Sequence, residues 1–271
     1  MDYRQYKKAL TIAGSDSGGG AGIQADLKTF SANGVYGMSA ITAITAQNTQ
    51  GVTDIHPVPE SIIKKQITAV MDDIGTDAIK IGMLHSSSVI KTVIETLSQY
   101  NTENIVIDPV MVSTSGDKLL QDEAIKSLIK DMLPIATVIT PNLPEAEIIL
   151  GHPIKTKAQF FEAAKELGQT EASAILLKAG HFEDKELTDL LYLTESEELI
   201  ELPGKRINTQ NTHGTGCTLS SAVAAQLAQG YNLKNAVQKG LEYIHRSIQS
   251  GANYKLGHGH GPVHHFYNFW N

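Results

Sequence analysis

The sequence predicts an α/β fold in which helices cover both faces of a mainly parallel central sheet. One reason is that short runs of apolar, often β-branched residues alternate with amphipathic stretches along most of the 271-residue chain, which is the pattern of repeated strand–helix units. Another is that glycine and polar residues follow almost every predicted strand. Ligands bind at the carboxyl ends of the strands in sheets of this kind, so these residues are candidates for a functional site.

The predicted elements follow one another in regular order. The strands are short apolar runs bounded by turn residues, namely residues 9–13, 38–46, 78–81, 104–107, 137–140 and 174–178. The helices are the amphipathic stretches between and after them, namely residues 21–33, 61–73, 88–99, 123–132, 143–150, 158–167, 216–229 and 233–249. Residues 188–207 alternate between apolar and polar side chains, which predicts a β-hairpin.

The composition excludes several classes of protein. Hydrophobic residues make up 41% and charged residues 19%, which is typical of a globular protein. The net charge is −7 and no basic stripe is present, which argues against nucleic acid as a partner. No apolar run is long enough to span a bilayer, and the first residues do not resemble a signal peptide. We therefore expect one cytoplasmic domain over residues 1–271, with no membrane partner.

The glycine-rich segment 211–218 is the most informative stretch of the chain. A helix that begins here would present unpaired N–H groups, so Gly214, Thr215, Gly216 and Cys217 are predicted to form an anion hole for a transferring phosphoryl group. Cys217 is the single cysteine, and in the first turn the helix dipole should lower its pKa from about 8.5. It could then accept the proton of an attacking alcohol. The alternative is a tight turn that begins a packed helix, with Cys217 as a small buried hydrophobe.

The same segment resembles the glycine-rich motif of the ribokinase superfamily, and its cysteine version resembles that of the hydroxymethylpyrimidine/phosphomethylpyrimidine kinases and of the Cys-type pyridoxal kinases. The likeness covers almost the whole chain and includes residues 13–26, 45–49, 80–84, 108–112, 140–145 and 259–263. This resemblance implies a ribokinase-like fold and a homodimer. It also implies ATP and Mg²⁺ as cofactors, and a pyrimidine precursor of thiamin, or its monophosphate, as the acceptor.

One group of residues is predicted to bind the acceptor. Gln47 carries both a donor and an acceptor, which match the ring nitrogen and exocyclic amine of an aminopyrimidine. Asp26 lies beside the apolar stripe of the first helix, where a carboxylate is either paired or used in function. The alternative is a solvated charge at the edge of the helix. The resemblance implies that Gln47 recognises the pyrimidine and that Asp26 contacts its hydroxymethyl group. It also implies that Gly14, Met83 and Val110 form backbone and apolar walls.

A second group is predicted to bind the nucleotide and metal. Asn142 and Glu145 resemble the N-x-x-E motif of the superfamily, which is associated with Mg²⁺ and phosphate. Because Mg²⁺ needs few carboxylates, Glu145 with Asp108 is an adequate pair. The alternative is that Asn142 only caps a helix. Lys178 and Thr212 are assigned to the nucleotide.

Segment 112–118 is expected to form a mobile flap over the substrate, because its Ser, Thr and Gly content offers little burial. Two residues depart from the family pattern, namely Thr114, where several relatives carry Lys, and Ala179, where Gly is usual.

Three other functions are compatible with parts of the sequence. A Cys-type pyridoxal kinase is the nearest, although this chain has Ser113 in place of a second flap cysteine and retains Gln47. A thiol hydrolase or acyltransferase would pair Cys217 with His213, but the sequence indicates no residue that would orient the imidazole. A catalytically silent ligand-binding protein would not need the base, the anion hole and the metal motif together.

Overall fold

The computed structural model describes residues 4–111, 120–180 and 186–270. The strands in these ranges are β1 (Lys8–Asp16), β2 (Tyr36–Asn48), β3 (Gly51–Pro57), β4 (Ala78–Ile81), β5 (Ile105–Ile107), β6 (Val138–Ile139), β7 (Ala174–Leu177), β8 (Glu186–Leu193) and β9 (Glu198–Lys205). The α-helices are α1 (Gly22–Ala32), α2 (Glu60–Asp73), α3 (Ser87–Leu97), α4 (Asp122–Ser127), α5 (Leu143–Leu150), α6 (Lys157–Glu166), α7 (Thr215–Ala228) and α8 (Leu233–Gly251). The predicted flap, with Ser113 and Thr114, lies outside the described residues.

All of these strands belong to one sheet with the order β3-β2-β1-β4-β5-β6-β7-β8-β9. The six central strands, from β2 to β7, are parallel. β3 at one edge, and β8 with β9 at the other, are antiparallel to their neighbours. The prediction of a mainly parallel sheet is therefore confirmed.

Side chains from the two faces of the sheet form two separate apolar cores. On β4, Ile79 and Ile81 belong to the core that contains residues of α2 to α6, whereas Ala78 belongs to the core that contains residues of α1, α7 and α8. This division follows from the alternation of side chains along a strand. Helices thus cover both faces, as predicted, and all parallel strands end at the same edge of the sheet.

Most boundaries agree with the sequence prediction to within a few residues, but one strand was missed. β3 is largely exposed and ends at Pro57, so it has neither a buried face nor the alternation that identifies a strand. The predicted helix 123–132 changes after Ser127 into a π-helical turn over Leu128–Met132. In the described part of the chain, no helix combines the length and the apolar character needed to cross a bilayer.

Candidate active site

A cavity of about 1110 Å³ opens at the carboxyl ends of the parallel strands. Its size exceeds that of most sites for a single small molecule, so it can hold a nucleotide and a second ligand. The predicted site residues that line it are Gly14, Gln47, Met83, Asp108, Val110, Asn142, Glu145, Lys178, Thr212, Thr215, Gly216 and Cys217. Asp26 and Gly214 are the predicted site residues that do not line the cavity.

The start of α7 faces this cavity without a cap. Gly214 precedes the helix with φ of 77° and supplies no side-chain hydrogen bond. An added Cβ would overlap the carbonyl oxygen of Gly20, so only glycine fits this turn. Within the described ranges, the amides of Gly216 and Cys217 donate no hydrogen bond. Such free amides at a helix N-terminus bind anions, so the predicted anion hole has the geometry it needs, although Gly214 shapes it from outside the lining.

A buried charged cluster borders the anion hole. The Nζ atom of Lys178 lies 3.4 Å from Oδ1 of Asp108, and an added Cβ on Gly216 would lie 3.4 Å from Oδ2 of Asp108 and 3.5 Å from Nζ of Lys178. Burial would lower the pKa of Lys178, but Asp108 and Glu145 raise it above its ordinary value. The ammonium is therefore held charged beside the free amides, where phosphate oxygens would lie.

Asn142 and Glu145 form a reciprocal capping box at the start of α5. The Glu145 amide donates to Oδ1 of Asn142 at 3.0 Å, and the Asn142 amide donates to Oε2 of Glu145 at 2.9 Å. Burial, the largest influence, raises the pKa of Glu145, and Asp108 acts in the same direction, whereas Lys178 opposes it. The capping role suggested as the alternative is thus present, and the carboxyl group still lines the cavity.

Gln47 also lines the cavity, beside a hydrogen-bonded pair that the sequence prediction missed. Nε2 of His213 lies 2.9 Å from Oδ2 of Asp16 and 3.4 Å from Nε2 of Gln47. The Asp16 carboxylate also accepts the amides of Gly18, Gly20 and Ala21. Burial would raise the pKa of Asp16, but the hydrogen bonds from His213 and from these amides together lower it. The signal in the sequence was the position of Asp16 shortly after the predicted strand 9–13, at the carboxyl end of β1.

The apolar walls of this end agree with the prediction. Gly14 lies at a bulge in the pairing of β1 with β2, and an added Cβ would lie 2.7 Å from Cε of Met83. Val110 has φ of 30°, a conformation that is rare for a β-branched residue and that concentrates at functional sites.

The predicted contact between Asp26 and the substrate is wrong. Asp26 is fully buried and does not line the cavity. Its carboxylate oxygens accept hydrogen bonds from Nζ of Lys80 at 2.9 and 3.0 Å. The hydroxyls of Thr11 and Ser221 donate to it as well, each at 2.6 Å. A carboxylate so fully bonded has no lone pair left for a ligand.

The predicted lowering of the Cys217 pKa is also wrong. Burial raises the pKa of this thiol to about 11, although the Lys80 ammonium and a hydrogen bond from the Gly22 amide act to lower it. The helix N-terminus alone therefore does not produce a thiolate. Gly22 has φ of 54° and an added Cβ would overlap the carbonyl oxygen of Gly14, so the close approach of this amide to the sulfur depends on glycine.

The third region of the cavity is apolar, and the sequence prediction did not identify it. It lies between the β8–β9 hairpin and the helices α7 and α8, and it is lined by Leu202, Pro203, Ile207, Leu241, Ile244 and Ile248. The residues from α8 recur at helical spacing, which indicates only a core-facing stripe. Their exposure to the cavity depends on the packing of the hairpin, which no local pattern reveals.

The structure provides a partner that orients His213, as a thiol hydrolase would require, but it does not bring His213 to Cys217. Asp16 orients His213, contrary to the expectation that nothing would. The imidazole faces Asp16 and Gln47, however, whereas the charged groups that act on the Cys217 thiol include Lys80, Asp26, Asp108 and Lys178. Cys217 and His213 therefore do not form a nucleophile–base pair in this geometry.

Comparisons with known proteins identify the family of this chain. The phosphomethylpyrimidine kinase family matches residues 16–264. The hydroxymethylpyrimidine/phosphomethylpyrimidine kinase of Rhizobium meliloti is 49% identical, over 97% of this chain and 98% of that protein. The phosphomethylpyrimidine kinase structure from Clostridium difficile 630 is 47% identical with a TM-score of 0.79, covering 89% of this chain and 99% of that one. The ADP complex of Bacillus subtilis pyridoxal kinase is 39% identical with a TM-score of 0.90, covering 98% of this chain and 100% of that one. The chain belongs to the phosphomethylpyrimidine kinase family, as its sequence motifs predicted, and is an ATP-dependent phosphotransferase.

Proposed function

We propose that this protein transfers the γ-phosphoryl group of ATP to the hydroxymethyl oxygen of 4-amino-5-hydroxymethyl-2-methylpyrimidine, and that it also phosphorylates the resulting monophosphate, in thiamin biosynthesis. One observation carries the proposal. The uncapped start of α7 opens into the cavity. His213, just before this helix, lies 3.4 Å from Gln47, and Gly216 in its first turn lies beside Asp108 and Lys178. A phosphoryl group held there would lie between an acceptor ring and a nucleotide.

The residues supply positioning and charge stabilisation. Gln47 orients the aminopyrimidine edge, while the free amides of Gly216 and Cys217 hold the negative charge that develops on the transferring group. The substrate oxygen forms a bond to the γ-phosphorus as the bond from phosphorus to the bridging oxygen of ADP breaks. The proton of the substrate hydroxyl passes to the sulfur of Cys217, which must therefore enter the reaction as a thiolate.

Mg²⁺ is supported by the donor set at the nucleotide end. Asp108 and Glu145 are buried carboxyl groups that both line the cavity, and Mg²⁺ characteristically takes one or two carboxylates together with phosphate oxygens and water. The described residues contain no cluster of three His, Cys, Asp or Glu side chains that could hold a metal without a ligand. When bound with ATP, the ion would neutralise phosphate charge. Lys178 and Thr212 would contact the same phosphates, and the apolar region beside α8 would hold the base.

Assays of ATP consumption test the proposal directly. We expect turnover with hydroxymethylpyrimidine and with its monophosphate, measured as ADP released, and a lower kcat/KM with pyridoxal. Transfer to none of the three acceptors would contradict the kinase assignment. A higher kcat/KM for pyridoxal would instead favour the second candidate function, which the high structural similarity to a pyridoxal kinase supports.

Gln47→Ala separates the two acceptors. If Gln47 recognises the aminopyrimidine, its removal should raise KM for the pyrimidine by about ten- to a hundredfold, the effect of one or two lost hydrogen bonds, and should leave KM for ATP unchanged. Equal effects on pyrimidine and pyridoxal would remove the argument for pyrimidine recognition.

The homodimer implied by the resemblance stays a prediction.

A further inference from the structure

A buried ion pair lies beneath the site, and the mechanism described above does not use it. Lys80 and Asp26 are both fully buried, and Nζ of Lys80 lies 2.9 and 3.0 Å from the two carboxylate oxygens. Burial raises the pKa of Asp26 although Lys80 opposes this, whereas Asp26 raises the pKa of Lys80 against its burial. The Asp26 oxygens accept four hydrogen bonds, which is the full capacity of a carboxylate, so the pair is ionised. Because the desolvation of two charges offsets most of their attraction, a buried ion pair contributes little net stability compared with a packed apolar pair. Its presence therefore indicates a role other than stability.

The geometry connects this pair to Cys217. Ser221 lies four residues after Cys217 on α7, so both side chains lie on one face of the helix, and the Ser221 hydroxyl donates to Oδ1 of Asp26 at 2.6 Å. Lys80 itself lines the cavity together with Cys217. An added Cβ on Gly82 would lie 2.8 Å from Nζ of Lys80, so the ammonium occupies space that a side chain at position 82 would otherwise fill.

Four charged groups act on the Cys217 sulfur. Lys80 stabilises a thiolate and Asp26 and Asp108 oppose it, with the Lys80 contribution larger than either; Lys178 also interacts favourably with it. Asp26 therefore has two effects, since it weakens the field of Lys80 at the sulfur but keeps the ammonium charged and fixed in place.

We propose that Lys80, held by Asp26, is a positioning residue that places a permanent positive charge beneath Cys217 and so enables the sulfur to accept the proton of the attacking alcohol. The proposal rests on the proposed function and extends it. In the step concerned, the substrate O–H bond breaks and an S–H bond forms, while the oxygen–phosphorus bond forms and the bridging oxygen leaves with ADP. The negative charge moves from sulfur to substrate oxygen, and Lys80 stabilises the state that precedes this transfer.

Alkylation of the single cysteine tests the charge beneath it without requiring any turnover. Iodoacetamide reacts with the thiolate, so at pH 8 the alkylation rate falls about tenfold for each unit by which the thiol pKa rises. We expect Lys80→Met to slow alkylation of the native protein by about tenfold or more. Lys8→Met is the matched control. Lys8 is the first residue of β1, at the end of the strand away from the cavity, and among the described residues its Nζ donates only to the carbonyl of Ile74. This control should alkylate at the rate of the unchanged protein.

The kinetic constants provide the second measurement. Lys80→Met should lower kcat by about ten- to a hundredfold and leave KM for ATP within about twofold, since Lys80 acts on the proton transfer and not on binding. Raising the pH should restore part of kcat, because it supplies the thiolate that the lost charge no longer favours. A purely structural role for Lys80 would not produce this recovery.

A second variant keeps the test valid if Lys80→Met fails to fold. Removing one partner leaves the other buried and unpaired, which is strongly destabilising, whereas Lys80→Met with Asp26→Asn removes both charges and retains an acceptor for Ser221. A folded double variant, checked by circular dichroism, should also alkylate more slowly, because the Lys80 effect exceeds that of Asp26. Unchanged alkylation in this variant, or slower alkylation with unchanged kcat, would overturn the proposal. The alkylation rates do not depend on phosphoryl transfer, so failure of the proposed function and failure of this proposal are distinguishable.

Discussion

At the scale of single residues, Cys217 is where burial and electrostatics oppose each other. The sulfur lies at a helix N-terminus and near a lysine, yet burial raises its pKa to about 11. We expect Cys217→Ala to lower kcat by about a hundredfold or more, the usual contribution of a general base. Cys217→Asp should retain a measurable fraction of the activity, because a carboxylate can accept the same proton. Steady-state kcat values with saturating ATP check both expectations.

The Asp variant also excludes covalent chemistry on sulfur. In a thiol hydrolase or acyltransferase the sulfur is the nucleophile that carries the acyl group, so we expect the weaker carboxylate nucleophile of Cys217→Asp to abolish that activity. Full activity in Cys217→Ala would show that the sulfur is not the base, and the proton would then leave by another route.

Asp16 is the second residue whose change is informative. It holds His213 beside Gln47 and accepts three backbone amides of the turn that follows β1. We expect Asp16→Asn to raise KM for the pyrimidine by about tenfold, because a lost charge-assisted hydrogen bond allows His213 and then Gln47 to move. KM for ATP should stay unchanged, and initial rates with each substrate varied in turn measure both.

The pH dependence of stability gives an independent check on Asp16. The folded pKa lies below the ordinary value, so the native state binds its proton less readily than the unfolded state. Asp16 therefore stabilises the fold above pH of about 4, and this contribution is lost as the pH falls through the folded pKa. The difference in unfolding free energy between the unchanged protein and Asp16→Asn should shrink below pH 4. A difference that stays constant from pH 7 to pH 3 would contradict this account.

At the scale of elements, the anion hole depends on how α7 begins. Gly214→Ala places a methyl group against the Gly20 carbonyl in a left-handed conformation, so the turn must move and the free amides with it. We expect a larger loss of unfolding free energy than the roughly 1–2 kcal/mol of the left-handed conformation alone, together with a strong loss of kcat. Urea denaturation and steady-state kinetics measure the two effects.

Gly34→Ala is the matched control for this change. Gly34 also has positive φ, at 73°, but an added Cβ meets nothing within 4 Å. It should therefore show the conformational cost alone, with kcat unchanged. If the two variants lost the same stability and both kept full activity, the close packing of Gly214 against Gly20 would not matter for the site.

The elements also show what the sequence could and could not predict. The boundaries of the helix Leu143–Leu150 were predicted because its capping residues are close in sequence. The strand β4 was predicted because its short, mostly apolar run is buried on both faces. β3 was missed because an exposed edge strand has no such pattern. Among site residues, motifs identified the cavity lining, but the partners of Asp26 and the groups that set the pKa of Cys217 are far along the chain. Neither could follow from spacing on one helix.

At the scale of the whole molecule, the segment after α8 supports the catalytic turn. The His213 amide donates to the carbonyl of Gly261 at 3.0 Å, and Nε2 of His265 lies 3.1 Å from the Thr218 hydroxyl on α7. The Tyr243 hydroxyl on α8 donates to the carbonyl of His265 at 2.7 Å. Gly261 and His265 thus connect α7 and α8 to the turn that forms the anion hole. A change in the packing of this segment should therefore change the stability of the fold.

His265 makes this packing sensitive to pH. Burial lowers its pKa to about 3, and Lys28 and His264 act in the same direction, so the native state keeps the imidazole neutral while the unfolded state protonates it below about pH 6.5. The stability that the neutral imidazole provides is therefore complete above pH 6.5 and declines as the pH falls towards 3, by about 2 kcal/mol at pH 5 from this group alone.

His265→Gln cannot titrate and should lose correspondingly less stability between pH 7 and pH 5 than the unchanged protein. His152→Gln is the control, because that imidazole is half-exposed beside Glu166 and its removal should leave most of the decline in place. Urea denaturation of the three proteins at both pH values measures the effect, and an equal decline in all three would show that the segment after α8 is not the pH-sensitive part of the fold.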